Sequence, residues 1–559
     1  MAQFHQRYVR AAVLASSGVL LSGLAWSAEY HVAVAGDDTA AGTQAMPWGT
    51  VQRGVDALVA GDSLVVHEGT YVIEGKISVS AKAGTQTQPI VIRAEGEVTL
   101  RDARTELADW AGLFDVRQSS WVTVRGFRLE QPRFFGIFFQ DCDHVTAEGN
   151  FTNESRASGV ASWGSTHVTI RNNDVKSACH DGNPVPSKWG TDMGCQECIS
   201  LDTTVGFLVE GNVVHDAQQQ GKAHWGGGEG IDVKNGSSNG VVTQNEVFNI
   251  VQLGIYVDAW ENDITDVEIS RNHVHHNANG IVITSEQTGN VDGVRVHDNL
   301  VHDVGFVGIS VSHYDVAANV IAHVHVFNNT VAHVGFPENK PYFLPDEQKN
   351  VTWGDGIAVG QPDVVSVVIR DNVVWDIGGG EPIALVSGLT GHTVEGNLTG
   401  DPLFVDEGAR DLRLGPGSPA IDTGTGTRGS EDLDFWGNVR VAGARVDVGA
   451  FEYGSVPGGA GAAGSGGLGG TGGGGTGGAD SGGVGGTGGS GGATGGTAGE
   501  GGAAGTGAAP GPSGAEKADD SDGCACLVAG RPSTRSLGWV GLIFGLGLVC
   551  RRRSSRLHA

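Results

Sequence analysis

Residues 267–283 read VEISRNHVHHNANGIVI, and 27 residues beyond Asn272 the same frame returns around Asn299 in residues 294–311, VRVHDNLVHDVGFVGISV. Each stretch has an alternating apolar run, an Asn, a short second run and then a Gly-Ile strand. Working outward, the Asn recurs at Asn150, Asn173, Asn212, Asn245, Asn272, Asn299, Asn329, Asn372 and Asn397, with Phe127 in the same register one coil earlier. The second strand opens at Gly136-Ile137, Gly159-Val160, Cys198-Ile199, Gly230-Ile231, Gly254-Ile255, Gly280-Ile281, Gly308-Ile309, Gly356-Ile357 and Pro382-Ile383. Short β-patterned runs bounded by turn residues and repeated at such spacing build one coil after another of a parallel β-solenoid. Coils stacked about 4.8 Å apart would let each Asn amide bond the Asn above and below, so these residues are expected to be structural. His215, His275 and His302, each three residues after its Asn, are expected to stack as packing.

The flanks of the repeat carry a resemblance. Tyr30-His-Val-Ala-Val34, the helical spacing of Val51, Val55 and Leu58, and the run Gly61–Tyr71 resemble the entry module of secreted right-handed parallel β-helix proteins of the pectate-lyase-like superfamily. Asp401–Asp406, Pro416–Asp422 and Val446–Glu452 resemble their closing segment. The expected fold is therefore all-β: a right-handed parallel β-helix with an N-terminal cap, followed by a disordered Gly-rich tether. The expected division is 28–110 for the cap and first coils, 111–400 for the repeats and 401–454 for the closing segment.

Both ends read as addresses. Residues 1–27 place Arg7 and Arg10 before an apolar run and small residues, the organisation of a signal peptide. Residues 455–523 form a Gly-rich linker that lacks the apolar side chains to build a core. Residues 524–559 hold Cys524-Ala-Cys526, a short hydrophobic stretch and Arg551-Arg552-Arg553, and resemble the MYXO-CTERM sorting tag of myxobacterial surface proteins. That resemblance implies an exported body displayed at the cell surface or outer membrane, touching membrane only through the tag.

Between these ends, residues 29–454 hold 57 acids and 26 bases, a balance of -31. Such a body excludes nucleic-acid binding and favours collection of divalent cations. A monomer is expected. Cys142, Cys179, Cys195 and Cys198 lie in this exported region, where disulfides are expected in one of three pairings; a zinc site would draw on the same thiols and His180.

The candidate site follows from where the repeat is broken. The distance from the Asn to the next Gly-Ile strand is 9 residues at Asn150, 9 at Asn245, 8 at Asn272 and 9 at Asn299, but 25 after Asn173, 18 after Asn212 and 27 after Asn329. Insertions leaving one turn on neighbouring coils would wall a groove over the Gly-Ile strands. In Gly230-Ile-Asp-Val-Lys234, alternation points Ile231 and Val233 inward and Asp232 and Lys234 outward. Asp202, Lys234 and Asp258 fall in one column, with Tyr256 and Trp260 on the same face and His180, His224, Trp225 and Glu229 brought near by the loops. Exposed Asp, Lys and Trp side by side suit a sugar site, in which aromatics stack on pyranose faces and carboxylates hold a cation or move protons. The alternative is a cross-coil ion-pair ladder of Asp202, Lys234 and Asp258 on an ordinary solvated sheet.

Glu229-Gly-Ile-Asp-Val-Lys234 resembles the motif of alginate lyases and chondroitinase B in polysaccharide lyase family 6, where an acidic calcium ligand precedes the Lys base by five residues. That resemblance implies Glu229 as ligand and Lys234 as base; the family's second acidic ligand would fall on Gly227, and its later Arg has no match. The expected function is thus a surface-displayed, polysaccharide-active protein, a lyase cleaving a uronate-containing glycan by β-elimination with Ca²⁺. Lys234, Tyr256 and Asp232 are the expected catalytic groups, Trp225, Trp260, His224 and His180 the substrate contacts, and Glu229, Asp202 and Asp258 the metal ligands. Two other readings compete: a non-catalytic carbohydrate-binding or adhesive protein, and a glycoside hydrolase using the Asp cluster.

Overall fold

A computed structural model describes residues 27–458 except 105–109, 181–196, 218–227, 314–319, 341–349, 351, 427–431 and 441. Residues 1–26 and 459–559, which hold nearly all of the signal segment and the tether and the whole tag, lie outside the described residues, as do His224, Trp225 and Cys195. The first described element is the strand Glu29–Val32, which pairs in parallel with Ser63–Ile73. Between them the helix Val51–Ala57 is capped by Thr50, whose side chain accepts from the Arg53 amide. Val51, Val55 and Leu58 are buried at the spacing read from sequence and close the first coil with Leu64 and Trp48. This is the expected cap.

From there the chain winds as a right-handed parallel β-helix. The nine Gly-Ile strands, with Ile77–Ser80 and Gly112–Arg117 ahead of them, stack into an eleven-stranded parallel sheet among the described residues, and the strands either side of each ladder Asn form a second, larger sheet. Alternation sorts the side chains: Ile199, Ile231, Ile255, Ile281, Ile309 and Ile357 are fully buried and belong to one continuous core that runs from Val32 to Leu389. The Asn ladder is complete. Phe127 N–H donates to Asn150 Oδ1 at 3.1 Å, and from Asn150 onward each Asn donates both its backbone N–H and its Nδ2 to the next Asn Oδ1, ending at Asn397. The residue before each ladder Asn, among them Asn172, Gln244, Arg271, Asp298 and Asp371, has φ near +55°. A left-handed residue turns the strand there and aims the next side chain inward.

The closing segment folds back along the flank of the coils. Phe404–Asp406 pairs antiparallel with Asp411–Leu414, and Arg440, with no exposed surface, bonds Asp298 and the Gly449 carbonyl and lies 3.4 Å from Glu452. The cysteine expectation needs correction. Cys142 and Cys198 are free thiols buried in the coil core, whereas Cys179 is disulfide-bonded. Cys198 takes the place that Gly230 and Gly254 fill on later coils, so its side chain packs into the core instead of reaching a partner. For the same reason neither thiol is placed for zinc.

Candidate functional site

The site is assembled by register on three successive coils. Ser200, Asp232 and Tyr256 face outward in one column, and Asp202, Lys234 and Asp258 in the next, as alternation requires. Two residues before the strands Ile199–Asp202 and Ile231–Lys234, Glu197 and Glu229 precede Cys198 and Gly230 in equivalent positions. Five carboxyl groups thereby surround one ammonium: Glu197, Glu229, Asp232, Asp258 and, one coil on, Glu286.

These groups face outward yet are covered, which corrects the expectation of an exposed patch. Asp232 is 2% exposed, Asp258 6%, Glu197 6% and Glu229 9%. Lys234 Nζ lies 2.5 Å from Glu197 Oε1 and 3.6 Å from Asp232 Oδ2, so it pairs sideways into the cluster. Its ion pairs among the described residues are not with Asp202 and Asp258, and the cross-coil ladder does not form. Ser200 Oγ donates to Glu197 Oε2 at 2.7 Å, and Tyr256 OH donates to Glu286 Oε1.

The electrostatics follow from burial. Desolvation and then the Glu197 charge push the Glu229 carboxyl up to about 8. Burial likewise raises Asp232 well above the carboxylate range, against the pull of Lys234 and with Glu197 and Glu229 adding to it. Asp258 is raised by burial, then by Glu286 and Asp232. For Lys234 burial works downward, but Glu197 and Asp232 overrule it and hold the amine above its ordinary value. A depressed Lys234 is therefore not what the free protein has. So many carboxyls around one ammonium cannot all ionise; some keep protons until a further positive charge arrives.

Among the described residues, the buried oxygens Glu229 Oε2, Asp232 Oδ1 and Asp258 Oδ1 have no hydrogen-bond partner. Buried polar atoms are ordinarily paired, and three orphaned carboxylate oxygens in one cluster fit the hard-oxygen donor set of a calcium ion. Asp202 differs, since Thr203, Asn235 and Trp163 all bond its carboxylate.

Of the remaining expected contacts, Trp260 stands 37% exposed just past the strand Leu253–Ala259, while His180 stays on the turn, its N–H donating to the Ser155 carbonyl. Three groups were missed from sequence. Glu197 could have been found by aligning Glu197-Cys-Ile199 with Glu229-Gly-Ile231. Glu286 gives no such signal. Trp163 pairs in register with Asp202 and lies 5.0 Å from Trp110 ring to ring; with Phe134, Phe135 and Phe138 they form an aromatic cluster on the outer face beside the acids.

The family model for right-handed β-helix regions matches residues 90–266 and 208–331. An uncharacterised Bacillus subtilis protein, YwoF, is 26% identical over 322 residues, 51% of this chain and 64% of that protein. Pectate lyase PEL9 of Emericella nidulans is 38% identical over 77 residues, 14% of this chain and 18% of that enzyme. The chain thus spans less than two thirds of either relative. Among solved structures, pectate lyase Pel9A is similar at TM-score 0.48 and 16% identity, covering 77% of this chain and 98% of its own. PfbA, a surface adhesin of Streptococcus pneumoniae, is similar at TM-score 0.42 and 10% identity, covering 62% and 85%. The fold is a right-handed parallel β-helix.

Proposed function

We propose that the protein is exported, displayed on the cell surface, and cleaves a uronate-containing polysaccharide by β-elimination with Ca²⁺. The observation that carries this reading is the set of orphaned oxygens of Glu229, Asp232 and Asp258 gathered around Lys234 on one sheet face. Those three carboxylates, with Glu197 beside them, would hold the cation. Bound there, Ca²⁺ would neutralise the uronate carboxylate and make its α-proton easier to remove.

The protein's own residues supply the rest. In this reading Lys234 takes that proton, and its carboxylate neighbours keep it charged in the free protein. Positive charge added to those carboxylates lowers the Lys234 pKa through the same coupling, so loading the site and freeing the amine go together. Tyr256 OH donates to Glu286 on the adjacent coil, within the same cluster. Trp163, Trp110 and Trp260 offer ring faces to neighbouring sugars. The partial likeness to a pectate lyase supports the substrate class.

A second reading has one observation in its favour: a Glu229 carboxyl still protonated near neutrality could act as the general acid of a glycoside hydrolase. One assay separates them. The purified chain, with and without Ca²⁺, is incubated with a panel of uronate and neutral polysaccharides while ultraviolet absorbance and reducing ends are followed. A calcium-dependent rise in unsaturated product, lost in Lys234→Ala with an unchanged circular-dichroism spectrum, is the expected result. Reducing ends without absorbance would establish the hydrolase; binding without either product would leave an adhesin.

A further inference from the structure

On the larger sheet, apart from the acidic site, Glu246 pairs in register with His273, and Phe248 with His275, one coil apart. The next coil places His302 beside His275. The side chains of Glu246, His273 and His275 point outward either side of the core residues Val247 and Val274. We propose that Glu246, His273 and His275 hold a divalent transition-metal ion of the zinc class, which staples two successive coils and is braced by the closing segment.

Two independent observations support it. The first is spacing. Glu246 Oε1 lies 3.4 Å from His275 Nε2 and 3.7 Å from His273 Nδ1. A good imidazole–carboxylate hydrogen bond would close to about 2.8 Å. Donors at about 2.0–2.1 Å from a tetrahedral zinc stand about 3.3 Å from one another. The Asp143, His144 and His167 group shows the contrast: His167 Nδ1 lies 2.8 Å from Asp143 Oδ1, an ordinary hydrogen bond.

The second is the orientation of the rings. Metal-bound imidazoles use one nitrogen for the ion and hand the other to a hydrogen-bond partner. His275 Nδ1 is 2.8 Å from His276 Nδ1, leaving Nε2 toward Glu246. His273 Nε2 is 2.8 Å from His302 Nε2, leaving Nδ1 toward Glu246. His302 Nδ1 in turn lies 2.7 Å from Asp303 Oδ2, and Arg410 of the closing segment grips both Asp303 oxygens at 2.7 Å. With neutral rings, Asp303 accepts from His302 Nδ1, His302 Nε2 accepts from His273 Nε2, and the His273 Nδ1 lone pair faces a carboxylate oxygen. A cation between them removes that conflict. Three protein ligands leave a fourth position for water.

The test uses the full chain, stripped with a chelator and titrated with Zn²⁺ by calorimetry, with Co²⁺ as spectroscopic probe. We expect one saturable site whose cobalt complex shows tetrahedral nitrogen–oxygen bands without thiolate charge transfer, which separates it from the cysteines of the C-terminal tag. His273→Gln and Glu246→Gln should each weaken binding at least about tenfold, and His144→Gln should leave it unchanged. Retention of wild-type affinity in Glu246→Gln and His273→Gln, or no saturable site at all, would overturn the proposal. If His273→Gln fails to fold, the partly exposed and near-isosteric Glu246→Gln decides alone.

Discussion

At the scale of single residues, the acidic cluster makes stability depend on pH in an unusual direction. Glu229 binds its proton up to about 8 in the folded chain against an ordinary value of 4.5. The folded state therefore holds more protons than the unfolded one between those values, and stability falls as pH rises through that window. Urea midpoints measured at pH 5 and pH 8 should show this loss in the wild type and a smaller loss in Glu229→Gln. Calcium added at pH 8 should restore the wild type and do little for the variant. The pairing of Lys234 with Glu197 was not legible from local sequence, because the two residues are 37 positions apart and separated by an insertion. The columns themselves were legible, since period-2 alternation fixes which side chains share a face.

At the scale of one coil, the turn carries two opposed terms. A non-Gly residue in the left-handed region, such as Gln244 or Arg271, costs about 1–2 kcal/mol. The Asn that follows offsets this by satisfying otherwise buried backbone groups. Asn245 Oδ1 accepts from Asn212 N–H and Nδ2 at 2.9 Å, while its own amide bonds the Val209 carbonyl and Asn272. Asn245→Ala leaves several buried groups unpaired and should cost about 2–4 kcal/mol in chemical denaturation. Asn397→Ala, at the half-buried end of the ladder, should cost about half as much. The ladder was readable because a fixed spacing of one residue type along a chain has few other causes. The His stack was readable in part: His215, Phe248, His275 and His302 do stack near-parallel at 5.0–5.2 Å, as expected of packing. His273, in the neighbouring column, gives the stack its second use, and only the third dimension brings Glu246 to it.

At the scale of the whole molecule, the closing segment is bound to the coils by buried charge. Arg440 bonds Asp298, 142 positions earlier, and Arg410 bonds Asp303, 107 positions earlier. Removing the guanidinium takes the Arg440 charge away from the buried Asp298 and Glu452, so Arg440→Ala should destabilise by about 3–5 kcal/mol. Hydrogen exchange should show residues beyond 400 losing protection first, while the coils before Asn245 keep theirs, because contacts in a solenoid are nearest-neighbour.

The amino-acid sequence by itself determined the coil: repeat period, strand alternation, ladder, cap helix and the face on which the site lies all follow from local patterning. Tertiary structure alone decided the chemistry of that face. Burial raised the carboxyls, Glu197 and Glu286 joined the cluster from neighbouring coils, and the flank of the closing segment met the His-bearing turns. These depend on distances between residues 25 to more than 100 positions apart, where desolvation and the summed field of neighbouring charges, not residue type, set what each group can do.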